Sequence, residues 1–269
     1  MSEPAVLWSM DARGVADVTL NRPEVNNAYN AETIEGLLAA MDALGGEPGL
    51  RVVVLRGRGR HFQAGADLRW LNAVAGGTAE ENLHASRITA LAVRRLNTLP
   101  LPTVALVQGG CFGGGTGIAA ACDVVIAAED AQFSIAETRW GLMAGIILPQ
   151  LADAIGARQV RRYAQTGERF DAAEARRIGL VHEVVPAAEL EDAGARVVGA
   201  LLQNAPEANA QTKQLALEFA WGGFAGEAGE AAFERLVLQH AQKRQSAEAA
   251  EGLASFREKR AAAWYPGGG

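Results

Sequence analysis

Residues 103–117 read Thr-Val-Ala-Leu-Val-Gln-Gly-Gly-Cys-Phe-Gly-Gly-Gly-Thr-Gly. The first five form a continuous apolar run, which is typical of a strand buried on both faces of a parallel sheet. A glycine cluster follows, and an apolar helix is predicted from there to Ala121. Glycines at the start of a helix leave backbone N–H groups free and allow a ligand to approach them closely. No Lys-Ser/Thr pair follows, so this is not a P-loop, and its match to a dinucleotide-binding fingerprint is weak.

The same kinds of segment recur on both sides of this stretch. Short apolar or alternating runs predict further strands, at residues 6–8, 15–20, 52–56 and 124–127, the first two forming a hairpin. Amphipathic periodicity predicts helices over residues 33–44 and 78–99. Repetition of strand, helix and strand predicts an α/β fold in which helices cover parallel strands.

The C-terminal part of the chain has a different pattern. From residue 187 onward the sequence is rich in Ala, Glu, Leu and Arg and contains no strand-like run. We therefore predict a core with the active site over residues 1–200 and a helical region over residues 201–269.

Composition excludes several functional classes. The 25 Lys and Arg against 31 Asp and Glu give a net charge of −6, which argues against a nucleic-acid-binding protein. Cys111 and Cys122 are too few for a disulfide framework and are not spaced as metal ligands, so no metal site is expected. The first ten residues lack a signal-peptide pattern, and no apolar run approaches the ~20 residues that cross a bilayer. We expect a cytoplasmic protein without a membrane partner.

Two more motifs are candidates for chemistry. Residues 61–68 read His-Phe-Gln-Ala-Gly-Ala-Asp-Leu, a small-residue turn directly after a strand, with Asp67 placed to begin a helix. Glu137 lies in the otherwise apolar run Phe-Ser-Ile-Ala-Glu. Burial would raise the pKa of this carboxyl group and suit it to proton transfer near neutral pH. The alternative is a structural ion pair, for example with Arg139.

The order of these motifs resembles the crotonase (enoyl-CoA hydratase/isomerase) superfamily along nearly the whole chain. The resemblance begins at residues 21–28, Asn-Arg-Pro-Glu-Val-Asn-Asn-Ala, and continues through the three motifs. It extends through residues 166–175, Thr-Gly-Glu-Arg-Phe-Asp-Ala-Ala-Glu-Ala, and ends at residues 251–260.

The resemblance implies a fold and a substrate. The expected fold is a crotonase-like spiral of repeated ββα units, with a helical C-terminal region that builds homotrimers, often paired into hexamers. The substrate would be an acyl-CoA, so CoA belongs to the substrate and no separate cofactor is expected.

The resemblance also implies site residues. Ala66 and Gly114 match the two positions whose N–H groups form an oxyanion hole, and Glu137 matches a catalytic glutamate. The positions that match the CoA-binding region are Glu24, Val25, Asn26, Ala64, Asp67 and Leu68, and Phe256 and Lys259 would contribute from a neighbouring subunit.

One departure from the family pattern limits the choice of reaction. Well-studied hydratases of the family hold a water between two glutamates, and the position of the first is Gly117 here. The chain therefore resembles one-glutamate members of the family, nearest to methylglutaconyl-CoA-type hydratases. The expected reaction is addition of water to a 2-enoyl-CoA, and the alternative is 3,2-enoyl-CoA isomerisation with Glu137 as the single proton carrier. In the first case a distal substrate carboxylate needs a cation, for which Arg139 and Arg69 are candidates. Other expected pocket residues are Trp70, His84 and Trp140, together with Gly117.

Two further hypotheses belong to other functional classes. Some crotonases bind RNA, and residues 56–60 read Arg-Gly-Arg-Gly-Arg, but the acidic net charge disfavours such a partner. A catalytically inactive CoA-binding scaffold is also compatible with Gly117, although Glu137 and both oxyanion-hole positions are present.

Overall fold

The computed structural model describes residues 3–222 and 246–266. Its main sheet has six strands in the order β1-β2-β3-β4-β6-β9. β1 is antiparallel to β2, and all other neighbours are parallel. These strands are β1 (Val6–Met10), β2 (Val15–Leu20), β3 (Val52–Gly57), β4 (Thr103–Val107), β6 (Val124–Ala128) and β9 (Glu183–Val185).

Helices connect these strands and cover both faces of the sheet. Within the described ranges they are α1 (Ala31–Gly45), α2 (Leu68–Ala75), α3 (Ala79–Asn97), α4 (Gly114–Ala120), α5 (Leu148–Thr166), α6 (Ala172–Ile178), α7 (Leu190–Gln203), α8 (Pro206–Gly222) and α9 (Ala247–Glu258). The parallel crossovers explain why β3 and β4 read as continuous apolar runs, since both of their faces are buried. The predicted α/β class is confirmed.

The predicted helix starts rest on capping groups that the structure contains. Thr78 and Glu81 form a reciprocal capping box at the start of α3. The Asp67 carboxylate accepts a hydrogen bond from the Arg69 backbone N–H and begins α2, as predicted.

A second sheet of three short strands packs beside the first, and the sequence patterns did not reveal it. Its strand order is β5-β7-β8, with β5 (Gly110–Phe112), β7 (Gln132–Ser134) and β8 (Arg169–Asp171). β5 and β7 are parallel, and β7 and β8 are antiparallel. Strands of three residues are too short to show a period of two, which is why periodicity missed them.

The end of the chain is helical wherever the structure describes it beyond residue 187, apart from turns and short connections. Residue 200 lies inside α7, whose buried face packs on the main sheet, and the division of the chain near residue 200 stays a prediction. The Arg51 guanidinium donates to the carbonyl oxygens of Leu202, Asn204 and Trp264, which ties this region to the start of β3.

Candidate active site

The small sheet brings the glycine-rich helix and Glu137 together. β5 leads directly into Gly113 and α4, while β7 leads through Ile135 and Ala136 to a 3-10 helix over Glu137–Trp140. Phe112 pairs with Ser134, and the Gly113 N–H donates to the Ser134 carbonyl at 2.8 Å. Because parallel strands end at the same edge of a sheet, the N-terminus of α4 and the Glu137 carboxylate lie side by side.

Gln63 joins the small-residue turn to this edge. It forms a bridge to Cys111, its carbonyl accepts from the Phe112 N–H at 2.9 Å, and its own N–H donates to Gly110 at 3.0 Å. The side chain is fully buried, and its Oε1 accepts from the Gly65 N–H at 2.9 Å. Gln63 therefore fixes the turn at residues 64–66 against the start of α4.

The segment at residues 21–28 holds the same turn from its other side. The carbonyl of Asn26 accepts from the Ala64 N–H at 3.1 Å, and Arg22 forms an ion pair with Asp67 at 3.1 Å. Burial alone would raise the pKa of the Asp67 carboxyl. Hydrogen bonds from Arg22 and from the N–H groups of Arg69 and Trp70 outweigh that effect and lower the pKa. Asp67 is thus an ionised structural link within this site.

Two backbone N–H groups at the site are free. Neither the Ala66 nor the Gly114 N–H donates a hydrogen bond to any described residue. Tyr29 fixes the orientation of the Ala66 N–H. The Tyr29 N–H donates to the Gly65 carbonyl and the Tyr29 carbonyl accepts from the Asp67 N–H, so both neighbours of Ala66 are held. The Gly114 N–H is free because Gly114 is the first residue of α4, and N–H groups in the first turn of a helix have no intrahelical acceptor. Both are available to a bound oxygen atom.

Glu137 supplies a carboxylate next to these donors. Its Oε2 atom is buried and has no hydrogen-bond partner among the described residues. Its Oε1 lies 3.1 Å from the point where a Cβ at Gly113 would be, so a side chain at 113, where φ is +52°, would displace it. Burial raises the pKa of the Glu137 carboxyl, opposed only by its own backbone N–H.

The alternative of a structural ion pair for Glu137 finds no support. Arg139 is exposed, and its side chain lies against Gly167, with its Nε 2.8 Å from the position of a Cβ there. A carboxylate with a buried oxygen that has no hydrogen-bond partner costs folding free energy, and such groups cluster at functional sites.

Glu137, Ala66 and Gly114 border a cavity of about 790 Å3. It extends between α1, α2, α3 and residues 140–147, and its wall is mainly apolar. Ala64, Leu68, Trp70 and Trp140 are predicted site residues that line it. A cavity of this size and character suits a small organic ligand with a long apolar part.

The remaining predicted pocket residues do not reach the cavity. His84, Arg69 and Arg139 are exposed and lie outside its wall, which contains no Lys, Arg or His within the described ranges. The expected cation for a distal substrate carboxylate is therefore not brought to the site by this chain's described residues.

Gly117 does not line the cavity either, because the Ile147 side chain packs against it. A Cβ at Gly117 would lie 2.2 Å from Ile147 Cγ2 and 2.4 Å from its Cβ. Ile147 is 2% exposed and itself lines the cavity. The space beside Gly117 is thus filled by an apolar side chain, which leaves no room for a longer side chain at position 117.

This packing gives a stability prediction. Gly117→Ala should destabilise the protein by about 1–3 kcal/mol, because the added methyl overlaps Ile147 in a closed core. The double variant Gly117→Ala/Ile147→Ala should lose less unfolding free energy than the sum of the losses in the two single variants, because the shorter side chain at position 147 makes room for the added methyl group. Urea unfolding measures both.

The matched control is Gly199→Ala on α7, where a Cβ would meet no atom within 4 Å. It should stabilise the helix by about 0.5–1 kcal/mol. A Gly117→Ala protein as stable as wild type would contradict the packing described here.

The residues predicted to contact CoA differ in position, and Asp67, the link to Arg22 described above, does not line the cavity. Ala64 and Leu68 line the cavity, whereas Glu24, Val25 and Asn26 are exposed on the adjoining segment that bonds to Ala64. The Phe256 side chain lies outside the described part of the structure. Lys259 is exposed at the end of α9.

Two of the three arginines in residues 56–60 form ion pairs with carboxylates of this chain. Arg56 forms ion pairs with Asp17 and Glu191, and Arg58 forms one with Glu3. The described residues contain no cluster of three or more His, Cys, Asp or Glu side chains that could hold a metal. Nor is any helix in that part of the chain long and apolar enough to span a membrane.

Tyr29 is the site residue that the sequence patterns missed. Its ring lines the cavity, packs edge-to-face on Trp70 with centroids 5.7 Å apart, and lies against Gly114. The segment Asn-Asn-Ala-Tyr-Asn offered only its asparagines as a turn signal, and nothing local indicated where the phenol would point.

The spiral of strands and helices, with a buried carboxylate beside two free backbone donors, defines an enzyme with the crotonase fold. A family model described as enoyl-CoA hydratase/isomerase matches residues 11–266. The protein belongs to this family.

Individual relatives agree with the family match. A Thermus thermophilus protein whose name includes the words enoyl-CoA hydratase is 36% identical to this protein, over 91% of this chain and 95% of the length of the relative. The hydroxycinnamoyl-CoA hydratase-lyase of Pseudomonas fluorescens is 34% identical over 72% of this chain and 71% of its own. The crystal structure of an enoyl-CoA hydratase from Shewanella pealeana matches with a TM-score of 0.90 at 32% identity, over 97% and 96% of the two chains.

Proposed function

We propose that the protein adds water to the C2=C3 double bond of a 2-enoyl-CoA and catalyses the reverse elimination. The observation that carries this proposal is the Glu137 carboxylate, whose buried Oε2 has no partner among the described residues, beside the free N–H groups of Ala66 and Gly114. The hydratase names of the relatives support water addition over other uses of the same site.

The two backbone donors would act on the thioester carbonyl oxygen. As water bonds to C3, the electron pair of the double bond moves toward that oxygen, which becomes an enolate. Fixed donors aimed at this developing charge lower the barrier, by about 3 kcal/mol for each donor in comparable sites. Because their positions are fixed by the fold, they need no reorganisation during the reaction.

Glu137 would carry the proton in this mechanism. Its carboxylate takes a proton from water while the water oxygen bonds to C3, and the carboxyl group then returns that proton to C2. The overall addition is H to C2 and OH to C3, and Glu137 ends as it began. A raised pKa suits both halves of this cycle, since the group must accept a proton and release it near neutral pH.

The cavity favours an uncharged acyl chain. Its described wall is mainly apolar and lacks a cationic side chain, so a distal substrate carboxylate would stay unpaired there. Ala64 and Leu68, with the adjoining residues 24–26, would contact the CoA part, which is substrate rather than cofactor. Assembly into trimers or hexamers stays a proposal based on the family.

A second candidate is 3,2-enoyl-CoA isomerisation. The observation that favours it is Ile147, which fills the place of a second acid and leaves one carboxylate. Glu137 alone would then remove a proton from C2 and return it at C4, with the same enolate stabilised by Ala66 and Gly114.

Assay of the wild-type enzyme tests the proposal. We expect loss of the conjugated-thioester absorbance with a 2-enoyl-CoA, and 3-hydroxyacyl-CoA as product. A kcat/KM for 3-enoyl-CoA isomerisation that exceeds the hydration value by tenfold or more would favour the second candidate. Absence of both activities across four- to ten-carbon substrates, with CoA esters still bound, would indicate the scaffold hypothesis instead.

A further inference from the structure

Few polar side chains in the cavity are free to bind a ligand. The Thr33 and Asn82 side chains already donate to the N-cap residues of α1 and α3, and the Thr89 side chain donates to a carbonyl within α3. Ser86 is exposed. Tyr29 and Glu137 differ, because the Tyr29 hydroxyl makes no hydrogen bond within the described residues and Glu137 Oε2 is buried without one.

These two groups lie next to two consecutive glycines, Gly113 and Gly114. Glu137 Oε1 is 3.1 Å from the Cβ position of Gly113, and Tyr29 Cζ is 3.3 Å from the Cβ position of Gly114. Consecutive Cα atoms are only about 3.8 Å apart. The peptide between these glycines carries the free N–H of Gly114, so the phenol and the carboxylate border the point where the thioester would bind.

The phenol is held rigidly and keeps its proton. Its ring is fixed by Trp70 and Gly114, and its backbone is bonded on both sides of Ala66. Burial and the neighbouring Glu137 charge raise the pKa of Tyr29 to about 12. At neutral pH it can therefore donate a hydrogen bond but not act as a base.

We propose that the Tyr29 hydroxyl donates a hydrogen bond to the oxygen atom that is added to or lost from C3, while Glu137 accepts a hydrogen bond from that same oxygen. The 3-hydroxyl group of the product has one proton to give and a lone pair to receive, which matches one acceptor and one donor; the attacking water has the same two kinds of site and one further proton. Tyr29 thus supplies the second contact to the reacting oxygen that the apolar Ile147 does not supply. This inference rests on the hydratase function proposed above.

The proposal predicts a specific binding preference. The wild-type enzyme should bind 3-hydroxyhexanoyl-CoA more tightly than hexanoyl-CoA, since only the first has the oxygen. Tyr29→Phe should weaken binding of 3-hydroxyhexanoyl-CoA about 5- to 10-fold and leave hexanoyl-CoA unchanged, because one neutral hydrogen bond is lost. For hydration, kcat should fall about tenfold while KM for the enoyl-CoA, which lacks that oxygen, stays nearly constant.

Calorimetric titration of both ligands, with thermal melts of each protein, carries out this test. Tyr29→Phe retains the ring that packs on Trp70 and Gly114, and Tyr265→Phe, near the C-terminus and outside the cavity, is the matched control. Equal weakening for both ligands would indicate a purely structural ring, and no weakening for either would show that the hydroxyl contacts nothing. Both outcomes overturn the proposal.

The two proposals fail in different measurements. Hydration by the wild-type enzyme with an unchanged ligand preference in Tyr29→Phe would remove the role of Tyr29 alone. An enzyme that isomerises but does not hydrate would remove the hydratase function. If Tyr29→Phe still lost the preference for the hydroxylated ligand in that enzyme, the contact itself would stand.

Discussion

Glu137→Gln should lower kcat by about 10³-fold, within the 10²–10⁴ that a positioned acid–base group contributes. The amide fits the same space but can neither take a proton from water nor return one to C2. Binding of a saturated acyl-CoA should change little, because the donors at Ala66 and Gly114 and the apolar wall are untouched. The readouts are kcat from the hydration assay and Kd for hexanoyl-CoA.

The pH dependence provides a second readout for the same substitution. In the wild-type enzyme kcat/KM should rise with pH on an acid limb that lies above the ordinary carboxyl pKa of 4.5, since burial raises the pKa of Glu137. Residual activity of Glu137→Gln should lack this limb. The control is Glu35→Gln, an exposed glutamate on α1, which should keep both rate and limb. Unchanged turnover in Glu137→Gln would refute the assignment.

The same carboxylate should reduce stability. Its pKa is higher in the folded than in the unfolded protein, so folding disfavours the charged form. Stability is retained while the group is protonated in both states and is lost as the pH rises through the folded pKa. Glu137→Gln should therefore raise Tm at pH 7, by about 2–4 °C for each kcal/mol regained, and the gain should shrink toward pH 5. Such a trade of stability for activity is common at active sites.

Most of the main sheet was predictable because its physics is local. β2 is an alternating run, β3, β4 and β6 are mainly apolar runs, and α3 has an explicit capping signal at Thr78. The motif positions Ala66, Gly114 and Glu137 were also identifiable, and the structure brings them to one cavity. Their identification came from the resemblance to the family, whose motifs are short and continuous in the sequence.

What the sequence did not reveal depends on contacts between distant segments. The small sheet that aligns α4 with Glu137 consists of three-residue strands whose pairing is set by tertiary packing. Ile147 packs against Gly117, although the two residues are thirty positions apart in the sequence. From the sequence alone, the missing side chain at position 117 therefore suggested an empty space. The residue types of His84 and Arg139 suggested polar pocket residues. In the structure His84 is on the exposed face of α3, and the Arg139 side chain lies against Gly167, so neither lines the cavity.

The second large effect is expected at Gly114. An added Cβ there would lie 2.6 Å from Tyr29 Cε1, and the ring is supported from behind by Trp70. The start of α4 must then shift by several tenths of an ångström, which misaligns the free N–H with the thioester oxygen. Loss or displacement of one such donor costs about 10²-fold in kcat, so Gly114→Ala should show a decrease of that size.

Because the donor acts on the enolate rather than on the ground-state thioester, the loss should appear mainly in kcat and less in KM. Steady-state kinetics with a 2-enoyl-CoA measures this division, and the binding of hexanoyl-CoA should weaken no more than a few-fold. Gly199→Ala makes the same chemical change in a helix with free space around it and should retain full activity. A Gly114→Ala enzyme with unaltered kcat would mean that the Gly114 N–H does not contact the reacting carbonyl. Only the Ala66 N–H would then remain as a proposed donor to the thioester oxygen.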